Sequence, residues 1–453
     1  MITRRNAAGL AAVYLCSKGM AATFLQLAML PLFKESYAVN SIDFQKYVLI
    51  IMLPWSIKPV VAALSDTYGM AKAIVICVSI AASIAAFAMS SQTASLHAAV
   101  GLATVCSAGI AFVDIITEGE YAHIMATCTT EQLKRRVVSL VWTLILVGQL
   151  ASSILSAFLN TRILLLSVAA LLTMPVLPAL CGWLYTGRDT HAWLPGITLG
   201  LALTAVAIVL IPVTLYASTA VKLCYITTSA VFLIIFTFKV LPYKLAKANA
   251  YMFATSVLYL NVSGAVDYWF TAAPHCIPGG PNFDLRYYVA AGAVVSSLFA
   301  TIAVGIFNSC FAGITNYRHM FWITASIRII AASTDIVTVN RWNIAVGIPD
   351  KAMFLLGDAA LQSVAATLET MPLVLLTSEL ATGGAESTTY ALLAGFQNFG
   401  GALAASYGYI LQGALEVSFD NERCDDANLA WLVGFAHMGL PFLTIPLSVC
   451  LID

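Results

Sequence analysis

Fourteen apolar runs follow one another along this chain, at 9–33, 46–65, 73–92, 96–122, 137–159, 162–185, 194–217, 220–241, 249–272, 286–310, 319–341, 353–380, 385–414 and 430–451. A helix of about 20 apolar residues crosses the hydrocarbon of a bilayer, so each run reads as a membrane span. The runs are far too long for barrel strands, which are about 10 residues with alternating polarity. Composition agrees: 60% of residues are hydrophobic and 10% charged, where a soluble domain carries roughly 25% charge. Net charge is zero, which leaves no electrostatic footprint for nucleic acid. The fold class expected is an all-α polytopic membrane protein in contact with the lipid bilayer, with about fourteen transmembrane helices.

Arg4 and Arg5 precede the first run, which is too long for a signal-peptide core and has no small-residue cleavage site after it. It is expected to be retained, with its N-terminus in the cytoplasm and no soluble domain appended at either end. On that orientation the inner loops hold eleven Lys or Arg and the outer loops eight, a modest positive-inside bias. Six runs precede the polar break Thr186–His191 and six follow Lys244–Lys247. The layout expected is an N-terminal six-helix bundle over 1–187, a helix hairpin over 188–243 and a C-terminal six-helix bundle over 244–453. Short loops leave little room for a soluble catalytic domain.

Charge inside the spans carries the functional signal, since an ammonium at the bilayer centre costs about 2.5–3.5 kcal/mol even on the lenient insertion scale. Lys18 lies in run 1 and Lys58 in run 2, three residues from Trp55. Asp114 and Glu118 lie in run 4 four residues apart, hence on one helix face. Two like charges on one face repel unless a cation, a substrate or a proton joins them, and Lys58 is the nearest candidate cation in sequence. Asp267 is in run 9, Arg328 and Asp335 share a face of run 11, and Asp358 and Glu369 are in run 12. Mutual structural neutralisation between helices is the plain alternative for any one of them. Gly395, Gly400, Gly401 and Gly408 in run 13 would let helices approach closely, and Asn398 beside them is a candidate lining residue. The sequon at Asn261 lies inside run 9 and is expected to be unmodified.

Ten cysteines are scattered, mostly in apolar runs, with no metal-ligand spacing. Cys276 and Cys424 fall in loops expected on the outer side, either as two separate thiols or as a disulfide stapling the C-terminal half. The six histidines show no His-Glu-x-x-His spacing, and no Gly-x-x-x-x-Gly-Lys-Ser/Thr loop is present. An enzyme, a metal site and ATP as energy source are therefore not expected, nor is any cofactor.

Several blocks carry a resemblance. Asp66, Gly69 and Lys72 at the foot of run 2 form an Asp-x-x-Gly-x-x-Lys loop that resembles the one between helices 2 and 3 of the major facilitator superfamily. Pro54-Trp55-x-x-Lys58-Pro59 with Ser65-Asp66 resembles the signature of the folate–biopterin transporter family, a branch of that superfamily. Phe112–Glu118 looks like the family's paired acids, with Glu118 where Asp is usual. Asp267-Tyr268-Trp269-Phe270-Thr271 and Pro278–Phe283 are similar to its aromatic helix end and external loop. The most specific block runs from Arg341-Trp342-Asn343 through Gly347-Ile348-Pro349-Asp350, Gly357-Asp358 and Met371-Pro372 to Gly383-Gly384-Ala385-Glu386 and Tyr390–Gly400.

The resemblance implies a major facilitator fold and a secondary transporter of pterins or folates working by alternating access, with S-adenosylmethionine as the cargo of some members. A membrane receptor that no longer transports is the reading from a different class. Trp55, Lys58, Asp114, Glu118, Asp267, Trp269, Arg328 and Asn398 are the candidate substrate-binding residues. The 2-amino-4-oxo edge of a pterin offers two parallel N–H donors to a carboxylate, and its flat ring needs an aromatic slot. Proton coupling is assigned to Asp114, Glu118 and Asp335. Gating is assigned to Asp66, Gly69, Lys72, Arg341, Asp350, Asp358 and Glu386. The small-molecule substrate and the proton are the partners expected, and the plasma membrane is the expected location.

Overall fold

The computed structural model describes residues 4–126, 131–184, 194–311, 314, 316–380, 386–420 and 424–452, with side chains throughout except at 122, 123, 125, 126, 131–136, 138, 139, 378, 379, 386 and 387. The polar break Thr186–His191 lies outside the described residues. Almost all of the rest is helix. Eleven described helices are long and apolar enough to cross a bilayer. The other three apolar runs are helical too: Glu131–Ser156, the pair Tyr243–Leu258 and Ser263–Phe270, and Glu386–Ala414. The chain is a multi-pass membrane protein. Apolar side chains exposed along the spans, such as Ile84, Phe87, Leu201, Ile235 and Ile330, suit a surface whose solvent is lipid rather than water.

Helix ends follow local chemistry. The Asn160 side chain accepts from the Ile163 N–H at 2.9 Å, and the Asp284 side chain accepts from the Tyr287 N–H at 3.0 Å. Both satisfy amide groups that a helix start leaves unpaired. Lys58–Tyr68 ends on Gly69 at φ +63°, a left-handed conformation that glycine adopts without a Cβ clash.

Two compact units are present. The first comprises Met1–Leu32, Ile50–Ala207 and Ala381–Gly395. Its core includes Leu10, Val13, Val61, Val113, Ile116 and Val141. The second comprises Phe33–Leu49, Ile208–Leu380 and Phe396–Asp453. One of its cores is Ala303, Phe307, Phe311, Met320 and Leu368. Another packs Phe270, Phe283, Tyr288 and Phe354 ring on ring, with centroids 5.0–5.6 Å apart.

The second unit also settles the question left open at Cys276 and Cys424: the two form a disulfide, their Cα atoms 5.4 Å apart. Cys424 lies on a two-residue strand, Cys424–Asp425, that pairs antiparallel with Ser418–Phe419. The neighbouring Asp426 accepts the Trp269 indole N–H at 3.3 Å.

Run 9 differs from the sequence expectation of one continuous span. Its helix stops at Leu258 and restarts at Ser263. Bare backbone at lipid depth must find partners within the protein. Gln45 provides them. Its amide donates to the Asn261 carbonyl and, at 3.0 Å, to the Ala405 carbonyl, while its oxygen accepts the Gly264 N–H at 3.1 Å. Gly408 completes the arrangement, because a Cβ there would collide with the Asn261 carbonyl.

Replacing Gln45 with leucine removes the partners of the Asn261 carbonyl and the Gly264 amide, at about 1–3 kcal/mol for each orphaned group. Gln45→Leu is expected to lower the thermal unfolding temperature in detergent sharply. An unchanged unfolding temperature would mean that the break is held by other contacts.

Candidate functional site

Interrupted helices place the charged groups of the first unit. The span Ser41–Tyr68 leaves α-helical geometry at the short 3-10 turn Leu53–Ser56 and restarts at Lys58. Pro54 and Pro59 explain the interruption, since neither has an N–H to donate. Lys58 thus stands in the first turn of a new helix inside the span, beside the positive end of its dipole. Lys18 lies on the π-helical stretch Ala12–Ala21, a winding often found at functional positions. Asp114 and Glu118 come from the helix Leu96–Ala126.

These four side chains close on one another. Lys18 Nζ is 2.7 Å from Asp114 Oδ1 and 3.0 Å from Glu118 Oε1. Lys58 Nζ is 2.6 Å from Asp114 Oδ2 and 3.8 Å from Glu118 Oε2. Two ammonium groups and two carboxylates balance to zero. The Asp114 side chain is 1% exposed and that of Glu118 13%, so Glu118 is the more accessible acid. Trp55 lies under the Lys58 ammonium, 4.5 Å from ring centroid to Nζ, and donates its indole N–H to Ser107 at 3.1 Å. Tyr390 interacts electrostatically with Lys18, Asp114 and Glu118. The sequence named Lys58 as the counter-ion; Lys18 is the second one. Nothing in the spacing announced Tyr390.

The second unit gathers a different set. Tyr288 donates to Asp267 Oδ1 at 2.8 Å. Lys34 Nζ donates to the Thr271 hydroxyl at 2.6 Å and to its carbonyl at 2.9 Å, and lies 4.7 Å from the Tyr268 ring centroid. Asp335 Oδ2 meets His437 Nδ1 at 2.8 Å and accepts from Gln362 Nε2 at 3.0 Å. The Asp358 carboxyl interacts electrostatically with those of Asp335 and Asp267. Arg328 donates to the Gln362 carbonyl at 3.4 Å, lies 5.6 Å from the Tyr259 ring centroid and faces Glu369. Trp269 is packed in the interior with its indole on Asp426. Asn398 is half-buried on the helix Glu386–Ala414. Lys34, Tyr288, Gln362 and His437 were not singled out from sequence.

The residues assigned to gating occupy helix ends and one loop. Asp66 accepts from the Thr388 hydroxyl at 3.2 Å, in the first turns of Glu386–Ala414, where a helix N-terminus favours an acid. Lys72 donates to the Leu180 carbonyl at 3.4 Å, one of the acceptors left over at a helix C-terminus. Arg341 forks onto both oxygens of Asp350 at 2.7 Å each, and the Asn343 amide adds a third bond to Asp350 at 2.9 Å. A bidentate guanidinium–carboxylate pair fixes geometry as well as charge. The Arg-Trp-Asn…Pro-Asp block is thus one stapled turn between two spans. Asp358 is in the acid cluster just described, and the Glu386 side chain lies outside the described ones.

The fold is that of the major facilitators. A solved POT family transporter in complex with a thioalcohol-conjugated peptide matches 98% of this chain and 95% of its own, with a TM-score of 0.68 at 10% identity. A solved nucleoside transporter matches 98% of both chains with a TM-score of 0.63 at 12% identity. The BT1 family model matches residues 18–453, and the chain belongs to that family. Two Arabidopsis thaliana relatives, "Probable folate-biopterin transporter 6" and "Probable folate-biopterin transporter 2", are 27% and 28% identical over 199 and 189 residues. Those stretches are 44% and 41% of this chain and only 37% and 35% of the relatives, so the match spans little more than a third of their length. The names of these relatives and solved structures are those of transporters.

Removing one member of a buried ion pair strands the other, at about 3–5 kcal/mol. Asp114→Asn and Lys58→Met are each expected to destabilise the purified protein, and the double variant to recover much of the loss in a double-mutant cycle. Additive effects in thermal unfolding would show that the two groups are not coupled.

Proposed function

We propose that the protein is a secondary transporter that carries a pterin- or folate-type small molecule across a membrane by alternating access, coupled to protons. The observation that carries this reading is the closed Lys18–Asp114–Lys58–Glu118 array inside membrane-spanning helices. Family membership and the major facilitator fold support it. Two six-helix bundles flanking the hairpin 188–243 are part of the same proposal, as is a plasma-membrane location.

Geometry shifts the emphasis among the substrate-binding candidates. Both Asp114 oxygens already meet a lysine at 2.6–2.7 Å, whereas Glu118 Oε2 stands 3.8 Å from Lys58. Glu118 is therefore the carboxylate better placed to take the paired N–H donors of a pterin edge. An arriving edge that engages Glu118 releases part of the hold on Lys18 and Lys58, which can turn to an acidic tail. Trp55 is the ring nearest this chemistry.

The acid-rich cluster of the second unit supports a second reading, in which a cationic cargo such as a sulfonium metabolite replaces the pterin. A binding protein without flux is the third outcome. Reconstituted protein should accumulate labelled biopterin down an imposed proton gradient, with competition by folate and none by nucleosides. Competition by S-adenosylmethionine alone would favour the cationic cargo. Saturable binding with no flux would overturn the carrier. Glu118→Gln is expected to raise the concentration for half-maximal uptake by roughly tenfold or more, the scale of one lost charge-assisted hydrogen bond of about 1.5–3 kcal/mol. Unaltered uptake in Glu118→Gln and Lys58→Met together would remove this site.

A further inference from the structure

The turn that joins the spans Tyr317–Val339 and Asp350–Thr377 is apolar on its outer side. Trp342 is 57% exposed and Val346 72%, and Ile344 and Ile348 are exposed with them. Ala345, Gly347 and Pro349 fill the places between. The one polar side chain from Trp342 to Pro349, that of Asn343, is buried. Four large apolar side chains on one short connection are out of keeping with a turn that stands in water.

The polar groups of this turn are spent on one another. Each backbone N–H from Ile344 to Ile348 donates to a carbonyl of Arg341, Trp342, Asn343 or Ile344, at 2.8–3.3 Å. Pro349 has no N–H to satisfy. The Asn343 amide donates inward, to the Ile348 carbonyl at 3.1 Å and to Asp350 at 2.9 Å. Arg341 closes the ring by its fork onto Asp350. It does so from a left-handed backbone conformation, φ +61°, which is costly for a residue with a side chain and persists only where the surroundings hold it. The turn is therefore a rigid piece whose outward donors ask nothing of water, and such a backbone suits a medium where water is scarce.

Its place in the chain says which medium that is. One flanking span ends at Val339 and the other begins at Asp350, so the turn starts and finishes at the edge of the hydrocarbon. The exposed apolar face continues down both spans, at Ile330 on one and Leu356 on the other. Lys351, the first charge past the fork, lies 5.2 Å from the Tyr287 ring centroid and outside the apolar stretch. A tryptophan at such a boundary sits at headgroup level, with its ring in the acyl region and its N–H toward water. We propose that the turn Arg341–Asp350 is an interfacial foot, with Trp342, Ile344, Val346 and Ile348 seated in the boundary between headgroups and acyl chains of one leaflet. The fork sets their direction, and the foot fixes the depth of the two spans it joins. The proposal does not depend on the cargo or on the carrier reading.

Full-length protein in phospholipid vesicles tests it. Emission from Trp342 is obtained as the difference between wild type and Trp342→Phe. It should be lost in lipid brominated near the headgroup end of the acyl chain, retained in lipid brominated near the methyl end, and little affected by acrylamide in the water. Wild-type protein gives a second readout. A lipid-borne diazirine should label the peptide holding residues 342–348, and hydroxyl radicals from the water should spare it. Quenching by acrylamide with none by bromine, or labelling from the water side alone, overturns the proposal and puts the turn in water. A peptide spared by both reagents also overturns it, since a second copy of the chain would then cover the face. If Trp342→Phe does not fold, the labelling of the wild type decides by itself.

Discussion

A buried ammonium needs a carboxylate, and the first unit is arranged around that need. Two lysines at bilayer depth cost together about 5–7 kcal/mol on the insertion scale. Removing one partner of a buried pair leaves the other charge uncompensated, so the array is sustained only while all four groups are present. Lys18, Lys58 and Asp114 come from three separate spans. The charges therefore bind those helices to each other as firmly as any apolar contact, yet they can be exchanged for a ligand's charges, which methyl groups cannot.

Departures from regular winding mark where this chemistry sits. Lys58 follows a 3-10 turn and Lys18, Lys34, Asp358 and His437 lie on π-helical stretches. A regular helix in lipid satisfies its own backbone and needs nothing from outside. An altered winding shifts side-chain directions and changes which carbonyls are engaged, so it persists where tertiary contacts hold it. Gln45 shows the cost of the largest departure: two of its hydrogen bonds serve the break between Leu258 and Ser263, and a third reaches the Ala405 carbonyl. The ring-on-ring packing of Phe270, Phe283, Tyr288 and Phe354 does a similar job at the start of the stretch bearing Asp358.

Hydropathy made the helices legible, because lipid leaves a chain little choice of backbone. All fourteen apolar runs are mainly helical where the structure describes them, run 9 with its break. The break in run 9 was hidden, since Asn261 and Ser263 are small enough in their effect on hydropathy to pass within an apolar stretch. Charge inside a span was equally legible: Lys18, Lys58, Asp114 and Glu118 stand out by type alone. Their mutual contacts were not, because helix adjacency is tertiary. His437 escaped for a different reason. Nothing in the sequence says that residue 437 faces residue 335. The motif that suggests Arg341 and Asp350 for a gate does not announce that the two pair within one turn.

The two clusters make opposite demands on whatever approaches them. The first unit's array is neutral, so it favours a ligand that brings both donors and acceptors and leaves the total unchanged. A ligand of that kind can exchange contacts with Lys18, Lys58 and Glu118 one for one, whereas a bare cation would have to displace a lysine. In the second unit Asp335 is met instead by the His437 imidazole and the Gln362 amide. Holding cargo and proton on different groups has a physical advantage for a coupled carrier. A proton that shared the cargo's carboxylates would compete with the cargo for the same lone pairs. Coupling requires only that the proton-bound and proton-free states favour different conformations, the condition any linkage between two ligands must meet.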